Sequence, residues 1–278
     1  MMASSPLLSV VIPAYNNGAV IAETLRSVLD QQDIDFELIV ADHSSTDDTR
    51  AVVESFLDDP RVTLLDTPTG GGAPRNWNRV TDAARGELIK LVCGDDVLLP
   101  GTLARQARIL TTTDAVLTAC RRNIIDANGK ILFSGWGLRG LQRSMTGAEA
   151  IRRATRAGSN LFGEPASVMM RTESLRDAGS WMDTFPYLID QASYSRVLMT
   201  GNFEPDPEVG ATFRMSATQW SVALVKEQSS QAQGFHRWLH DTYPESVKAS
   251  DVAIGNARAA LMARARRLSY KVLERRMK

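Results

Sequence analysis

The sequence predicts an α/β fold, a mostly parallel sheet flanked by helices, with a helical extension toward the C-terminal end. Three observations lead there. Over the first hundred residues, short apolar runs alternate with stretches of helical periodicity, joined by short connections. The apolar runs lack polar alternation, the pattern of strands covered on both faces. After Thr218 helical patterning dominates. The expected organisation is residues 1–97 and 98–217 as two halves of one domain, with 218–278 as the extension.

Each element has its own signal. "LLSVVIPAY" is an apolar, β-branched first strand stopped by Pro13. Val20/Ile21, Thr24/Leu25 and Val28/Leu29 recur four apart and predict a helix in "GAVIAETLRSVLDQQ". "FELIVAD" is the second strand. "SSTDDTRAVVESFLDD" is the second helix, with a capping-box-like pair in Ser45 and Asp48 and a buried face of Val52, Val53, Phe56 and Leu57. "RVTLLDT" is the third strand. "GGAPRNWNRVTDAARG" is the third helix, with Pro74 near its first position and Gly86 at its close. "GELIKLVCGDD" is the fourth strand. Two strands then turn at Asn128-Gly129. "TGAEAIRRATRAG" reads as a helix, "PASVMMR" as a strand and "YLIDQASYSRVLMTG" as a helix. "NFEPDPEVGATFRM" is extended, and its prolines suggest an edge strand.

Composition removes several classes. Lys plus Arg equals Asp plus Glu at 32 each, so no overall field favours nucleic acid. No apolar run approaches the roughly 20 residues that span a bilayer. The first residues lack a basic region and a cleavage signal. Cys93 and Cys120 form no C-x-x-C pair and read as reduced core residues. The expected location is cytoplasmic.

The polar residues gather at the strand ends. In an open parallel sheet, ligands bind outside the carboxyl ends of the strands. Those ends carry Asp42, Asp47, Arg75, Asn76, Asp95 and Asp96, with a glycine triplet at 70–72 where backbone can approach a ligand closely. Asp95 and Asp96 stand side by side in "KLVCGDDVLLPG" with no basic residue beside them. Like charges at that spacing repel, which points to a divalent cation, Mg²⁺ or Mn²⁺. Such ions take one or two carboxylates plus phosphate oxygens, so the cation with Arg75 makes a diphosphate site.

In order and spacing, "VVIPAYN", "VADHSSTDDT", "GGAPRNWNRVTDAARGELIKLVCGDD" and "YLIDQASY" resemble the family 2 glycosyltransferases of the GT-A fold. The resemblance is strong over residues 7–100 and looser over 160–215. It implies that residues 1–97 form a nucleotide-sugar-binding half and 98–217 an acceptor-binding half. It implies that Pro13, Ala14 and Tyr15 lie against the nucleobase and that Asp42 hydrogen-bonds the base. It places Arg75, with Asn76, near the base and phosphates, and Asp95 and Asp96 at the ribose and metal. Asp42 suits uracil or thymine, so a UDP- or dTDP-sugar is the favoured donor. The sequence also departs from the family. Cys93 stands where the metal motif often has its first aspartate, and Ser216 stands where many members carry a metal-binding histidine. His43 replaces a common acidic residue and is expected to face solvent.

The resemblance to inverting members implies a base aspartate at Asp190, which could also be a helix-start residue favoured by the dipole. Asp183 is the nearby competitor. Glu164, in "LFGEPAS", and Trp181 are candidate contacts to the acceptor, a glycan or lipid-linked molecule of envelope polysaccharide synthesis; Trp136 could also stack on a sugar. Residues 256–278 form a basic amphipathic stretch. It could touch anionic lipid at the inner face of the plasma membrane, or pack on the domain or a second copy. Two rival readings stand beside a transferase: a nucleotidyltransferase, whose glycine-rich N-terminal loop is missing here, and an inactive relative that keeps nucleotide or glycan binding.

Overall fold

The computed structural model describes residues 6–215 and 228–273, with side chains placed in 6–215 and 230–262. Among the described residues ten strands form one sheet: β1 (Leu8–Ala14), β2 (Phe36–Asp42), β3 (Val62–Asp66), β4 (Leu88–Leu91), β5 (Val97–Leu98), β6 (Ala115–Ile125), β7 (Ile131–Trp136), β8 (Met145–Thr146), β9 (Val168–Arg171) and β10 (Asn202–Arg214). The spatial order is β3-β2-β1-β4-β9-β6-β10-β5, with β7 beside β6 and β8 beside β10. β1 runs parallel to β2 and β4, β2 to β3, and β6 to β10. β9 joins the halves antiparallel to β4 and β6.

Around it lie α1 (Ile21–Leu29), α2 (Thr49–Glu54), α3 (Gly72–Ala83), α4 (Thr102–Thr112), α5 (Gly147–Ala157), α6 (Thr172–Asp177) and α7 (Ile189–Leu198). The extension contributes α8 (Gln228–Thr242) and α9 (Ala249–Leu273). Every residue of β1 and β2 is buried, as strands with two covered faces require. Val11, Ile39 and Ile89 enter one apolar cluster with Leu175, Tyr194 and Val197. Val10, Ile12 and Leu38 enter the opposite cluster with Ile21, Leu25 and Leu103. The period of two along each strand sorts its residues between the clusters. The stripe expected on α1 is present: Ile21, Thr24, Leu25 and Val28 are its buried residues.

Three local expectations are corrected. No capping box forms at α2. Ser45 Oγ instead accepts from the Asn16 amide, while Asp47 Oδ1 accepts from the Thr49 amide and hydroxyl. β10 is not an edge strand. It pairs with β6 on one side and with β5 and β8 elsewhere, and Pro207 falls in the register irregularity between Asp206 and Val209, where no ladder bond is needed. β4 stops at Leu91, so the aspartate pair sits in the turn between β4 and β5.

The extension is fastened to the domain. Asp251 of α9 is fully buried and receives Arg152 and Arg156 of α5. The helices approach so closely that a Cβ on Gly158 would lie 2.5 Å from the Gly255 carbonyl oxygen. In α8, Gln231 Oε1 accepts from the Tyr187 amide at 2.8 Å, and Phe235 and Trp238 pack edge-on against Phe185. These contacts favour packing on the domain for the start of α9. The basic residues beyond Met262, to which the membrane expectation attached, lie outside the described side chains.

Candidate active site

The strand ends converge as the α/β pattern requires. Asn76 is the brace. Its Nδ2 donates to the Ala14 and Ala41 carbonyls at 3.2 and 3.1 Å, and its Oδ1 accepts from Thr67 Oγ1 at 2.7 Å. Buried and saturated, it holds the ends of β1, β2 and β3 together. Both donors of its side chain are spent on joining the strand ends.

Around the brace lie the other residues of the strand ends. Pro13 and Ala14 are buried in β1, and Tyr15 emerges from it 58% exposed. Asp42 is buried. Its Oδ2 accepts from the Ser45 amide at 3.2 Å, and its Oδ1 has no hydrogen-bond partner. A buried carboxylate oxygen with an open valence fits an imide N–H of a base. His43 does not face solvent, contrary to expectation. It is buried, meets the Tyr15 ring edge-on at 6.0 Å and places Nε2 3.0 Å from the Gly70 carbonyl. It thereby ties β2 to the glycine loop. Gly71 has φ 75°, and a Cβ there would lie 2.7 Å from Arg75 Cδ, so only glycine lets the arginine fold over this turn. Arg75 is exposed at the mouth, with Nη1 on the Thr69 carbonyl at 3.0 Å.

The turn after β4 carries the acids. Asp96 is fully buried. Its Oδ1 accepts from the Arg214 amide at 3.2 Å, and its Oδ2 has no partner. Burial, then the neighbouring Asp95 charge, holds the Asp96 carboxyl well above the usual carboxylate range. Arg214 brackets the turn, with Nε on the Asp95 carbonyl at 3.0 Å and Nη2 on Glu23 at 2.6 Å. An unpartnered buried carboxylate oxygen beside a second carboxylate fits a divalent cation. No group of three or more His, Cys, Asp or Glu among the described residues is arranged to hold a metal ion, so a cation on the aspartate turn would complete its shell with phosphate oxygens and water. Ser216 lies outside the described residues.

Asp190 opens α7. Asn160 Nδ2 donates to its Oδ2 at 2.7 Å, and the Gln191 amide to its Oδ1 at 2.8 Å. Desolvation outweighs those bonds and pushes the carboxyl up to about 7, with Glu164 adding to the rise. Glu164 itself pairs with the buried Arg122, through Nε and Nη2. The acids form one cluster. The Cys93 thiol is pushed well up by desolvation, then by Asp96, Asp95, Asp190 and Glu164 in turn. Asp183 is exposed and takes no part in it. Trp181 is corrected as an acceptor contact. It is buried, donates from Nε1 to Thr81 Oγ1 at 2.7 Å and packs edge-on against Trp77 at 5.0 Å.

Sequence reasoning missed Arg122, Arg214 and Asn160. Each acts across a long separation. Arg122 looks like half of a surface "RR" pair, and its partner lies 42 residues away. The Asn160 signal was available, since it stands four residues before Glu164, immediately ahead of the "LFGEPAS" stretch.

The family profile described as glycosyl transferase family 2 matches residues 9–179. The chain belongs to that family. The family 2 match includes Asp42, Asp95, Asp96 and Glu164, and ends before Asp190. Among relatives, an uncharacterised protein of Mycobacterium tuberculosis, MT1568, is 34% identical over 203 residues, covering 70% of this chain and 63% of its own length. Glycosyltransferase GlyG of Streptococcus pneumoniae is 36% identical over 131 residues, covering 46% of this chain and 44% of its own. The chain thus spans less than two thirds of either relative. Among solved structures, S. aureus TarS 1–349 in complex with UDP-GlcNAc superposes with a TM-score of 0.67 at 17% identity, covering 84% of this chain and 66% of that one. The mannosyltransferase PcManGT of Pyrobaculum calidifontis, in complex with GDP-Man and Mn²⁺, superposes with a TM-score of 0.62 at 17% identity, covering 98% and 81%. At that identity the likeness shows the fold, the mostly parallel GT-A sheet that this family 2 chain shares with both.

Proposed function

We propose that this family 2 glycosyltransferase moves a sugar, with inversion, from a nucleoside-diphosphate sugar to a hydroxyl of a glycan or lipid-linked acceptor. One observation carries the reading. The Asp95–Asp96 turn, the Glu164 turn and the start of α7 bring their carboxylates into one cluster, and Asp190 within it is poised at about 7. A general base works best with a pKa near the operating pH.

We assign the roles as follows, and the geometry described above supports them. Tyr15 and Asp42 offer a ring face and a buried acceptor oxygen to the base, with uracil or thymine the favoured partners. Arg75 stands over the glycine loop toward the diphosphate. Asp95 and Asp96 would hold Mg²⁺ or Mn²⁺, which when bound would neutralise charge developing on the leaving diphosphate. Asn160 and the Gln191 amide fix the Asp190 carboxylate. Asp190 takes the acceptor hydroxyl proton as that oxygen bonds to the anomeric carbon and the bond to the diphosphate breaks. Glu164, held by Arg122, lies beside that exchange. No helix among the described residues is long and apolar enough to cross a membrane. The reading assigns the work to envelope polysaccharide synthesis, on the cytoplasmic side.

The test is thermal stabilisation by UDP, dTDP, GDP, CDP and ADP, each with and without Mn²⁺ or Mg²⁺. A ligand that binds only the folded state raises the melting temperature by mass action. A metal-dependent shift with UDP or dTDP is expected, followed by sugar transfer that Asp190→Asn abolishes. Nucleotide binding without transfer from any donor sugar would favour the inactive-relative reading.

A further inference from the structure

Three of the six large hydrophobic side chains exposed among the described residues stand on β7: Ile131, Phe133 and Trp136, each more than half exposed at 55%, 54% and 52%. On a regular strand, residues three apart point to opposite faces. Phe133 and Trp136 nevertheless meet, with ring centroids 5.7 Å apart and planes at 55°. A bulge is the cause. Phe133 stands opposite Ile124 and Trp136 opposite Arg122, with the register slipping between them, and Gly135 takes φ 65°. Asn123 Oδ1 pins the bulge by accepting from Ser134 Oγ at 2.9 Å and the Gly135 amide at 3.1 Å. The sequence thus uses a glycine and an asparagine to bring two aromatic rings together at the surface.

The strip abuts the acid cluster. Arg122 Nη1 donates to the Trp136 carbonyl at 3.5 Å, and the same guanidinium holds Glu164. A Cβ on Gly137 would lie 2.8 Å from Arg122 Nη1, so glycine there makes room for the guanidinium beneath the turn. One side chain therefore separates the aromatic strip from Glu164.

We propose that Phe133 and Trp136 form the platform for a carbohydrate acceptor, stacking on the apolar faces of sugar rings as the chain leads in toward Asp190. The proposal rests on the glycosyltransferase reading and specifies its acceptor as a saccharide. The shape favours that occupant. A sugar ring has a C–H face and a rim of hydroxyls. The strip is one strand wide and carries Ser134 and Asn123 along its length as hydrogen-bonding groups. The three half-exposed side chains offer on the order of 300 Å² of apolar surface, well below the roughly 800 Å² per partner of a stable dimer.

The test uses the full chain and Phe133→Ala and Trp136→Ala, both at surface positions, with folding checked by circular dichroism. Each protein is applied to an immobilised panel of defined bacterial-surface oligosaccharides, with and without Mn²⁺ and the nucleoside diphosphates above. The expected result is retention of at least one saccharide by the wild-type chain. Each substitution should weaken that binding tenfold or more and leave the nucleotide-induced melting shift unchanged. Equal binding by the variants, or no saccharide retained by the wild-type chain, would overturn the platform. A dimer in sedimentation that Trp136→Ala dissociates would assign the strip to a second copy instead. Binding to phosphatidylglycerol vesicles that Trp136→Ala abolishes would assign it to lipid. Absence of any nucleotide shift sinks the transferase reading separately, while the panel run without nucleotide still decides the platform.

Discussion

Replacing Asp190 with asparagine tests the site through two independent readouts. The first is stability. A carboxyl that ionises near 3.8 in the unfolded chain and at about 7 in the folded one prefers its neutral form when folded. Its contribution is therefore fully present below about pH 4 and is lost as pH rises through about 7. The full shift corresponds to about 4 kcal/mol, an upper limit because solvent reaches part of the side chain. Asp190→Asn has no such slope. It loses one hydrogen bond, because an amide nitrogen would face Asn160 Nδ2, whose own Oδ1 is occupied by the Phe162 and Gly163 amides. That costs about 1–2 kcal/mol at every pH. The variant should thus melt below the wild type at pH 4 and draw level with it or rise above it at pH 8.

The second readout is transfer rate. Loss of a general base removes about 10²–10⁴ of the rate. The wild-type rate should climb through pH 7 as the carboxylate forms, and the residual rate of the variant should be flat there. Nucleotide-induced stabilisation should be the same in both. Transfer by Asp190→Asn within tenfold of wild type would refute the assignment. So would a melting difference independent of pH, which would mean that the carboxyl is not desolvated.

Other substitutions probe the remaining parts. Asp96→Asn should leave metal-free nucleotide binding in place and weaken the Mn²⁺-dependent part at least tenfold, as titration calorimetry would show; an unchanged metal dependence removes Asp96 from the cation site. Arg122→Met strands Glu164 without its cation and should cost about 3 kcal/mol in urea unfolding, with part of the loss restored by adding Glu164→Gln. Asp251→Ala should loosen α9 from α5. At Asp251, burial pushes the pKa up, but bonds from Arg156, the Lys248 amide and Arg152 outweigh it and leave it low. Its stabilising part is present above about pH 4 and is lost as pH falls further, so the melting temperatures of wild type and variant should be well separated at pH 7 and draw together as pH falls below 4.

The parallel half of the fold was legible because its signals are local. β1 and β2 are unbroken apolar runs, and α1 shows its buried stripe in adjacent pairs four apart. The aspartate pair was legible for a similar reason: two acids without a base in reach is a local anomaly that the structure places in a buried turn. What depended on distant partners was not. The side chain of Asn76 reads as a ligand contact until three elements are seen to converge on it. Trp181 reads as a stacking surface until Thr81 and Trp77 cover it. His43 reads as solvent-facing until the Gly70 carbonyl claims it. Pro207 suggests an edge, and a strand irregularity absorbs it instead. In each case a residue type with two common uses was decided by neighbours far along the chain.

The grip of α8 on the segment before Asp190 bears on how the protein can be cut. The family match stops at 179, and the sheet is complete at Arg214, so either point invites an expression boundary. Yet Gln231, Phe235 and Trp238 hold Tyr187 and Phe185, a few residues from the carboxylate that would take the proton. A shortened protein ending after the sheet would keep the strand-end residues proposed for the nucleotide and lose the contacts that hold the segment before Asp190, the proposed base. It would bind donor and transfer poorly, and an investigator working with it would mistake a severed support for an inactive enzyme.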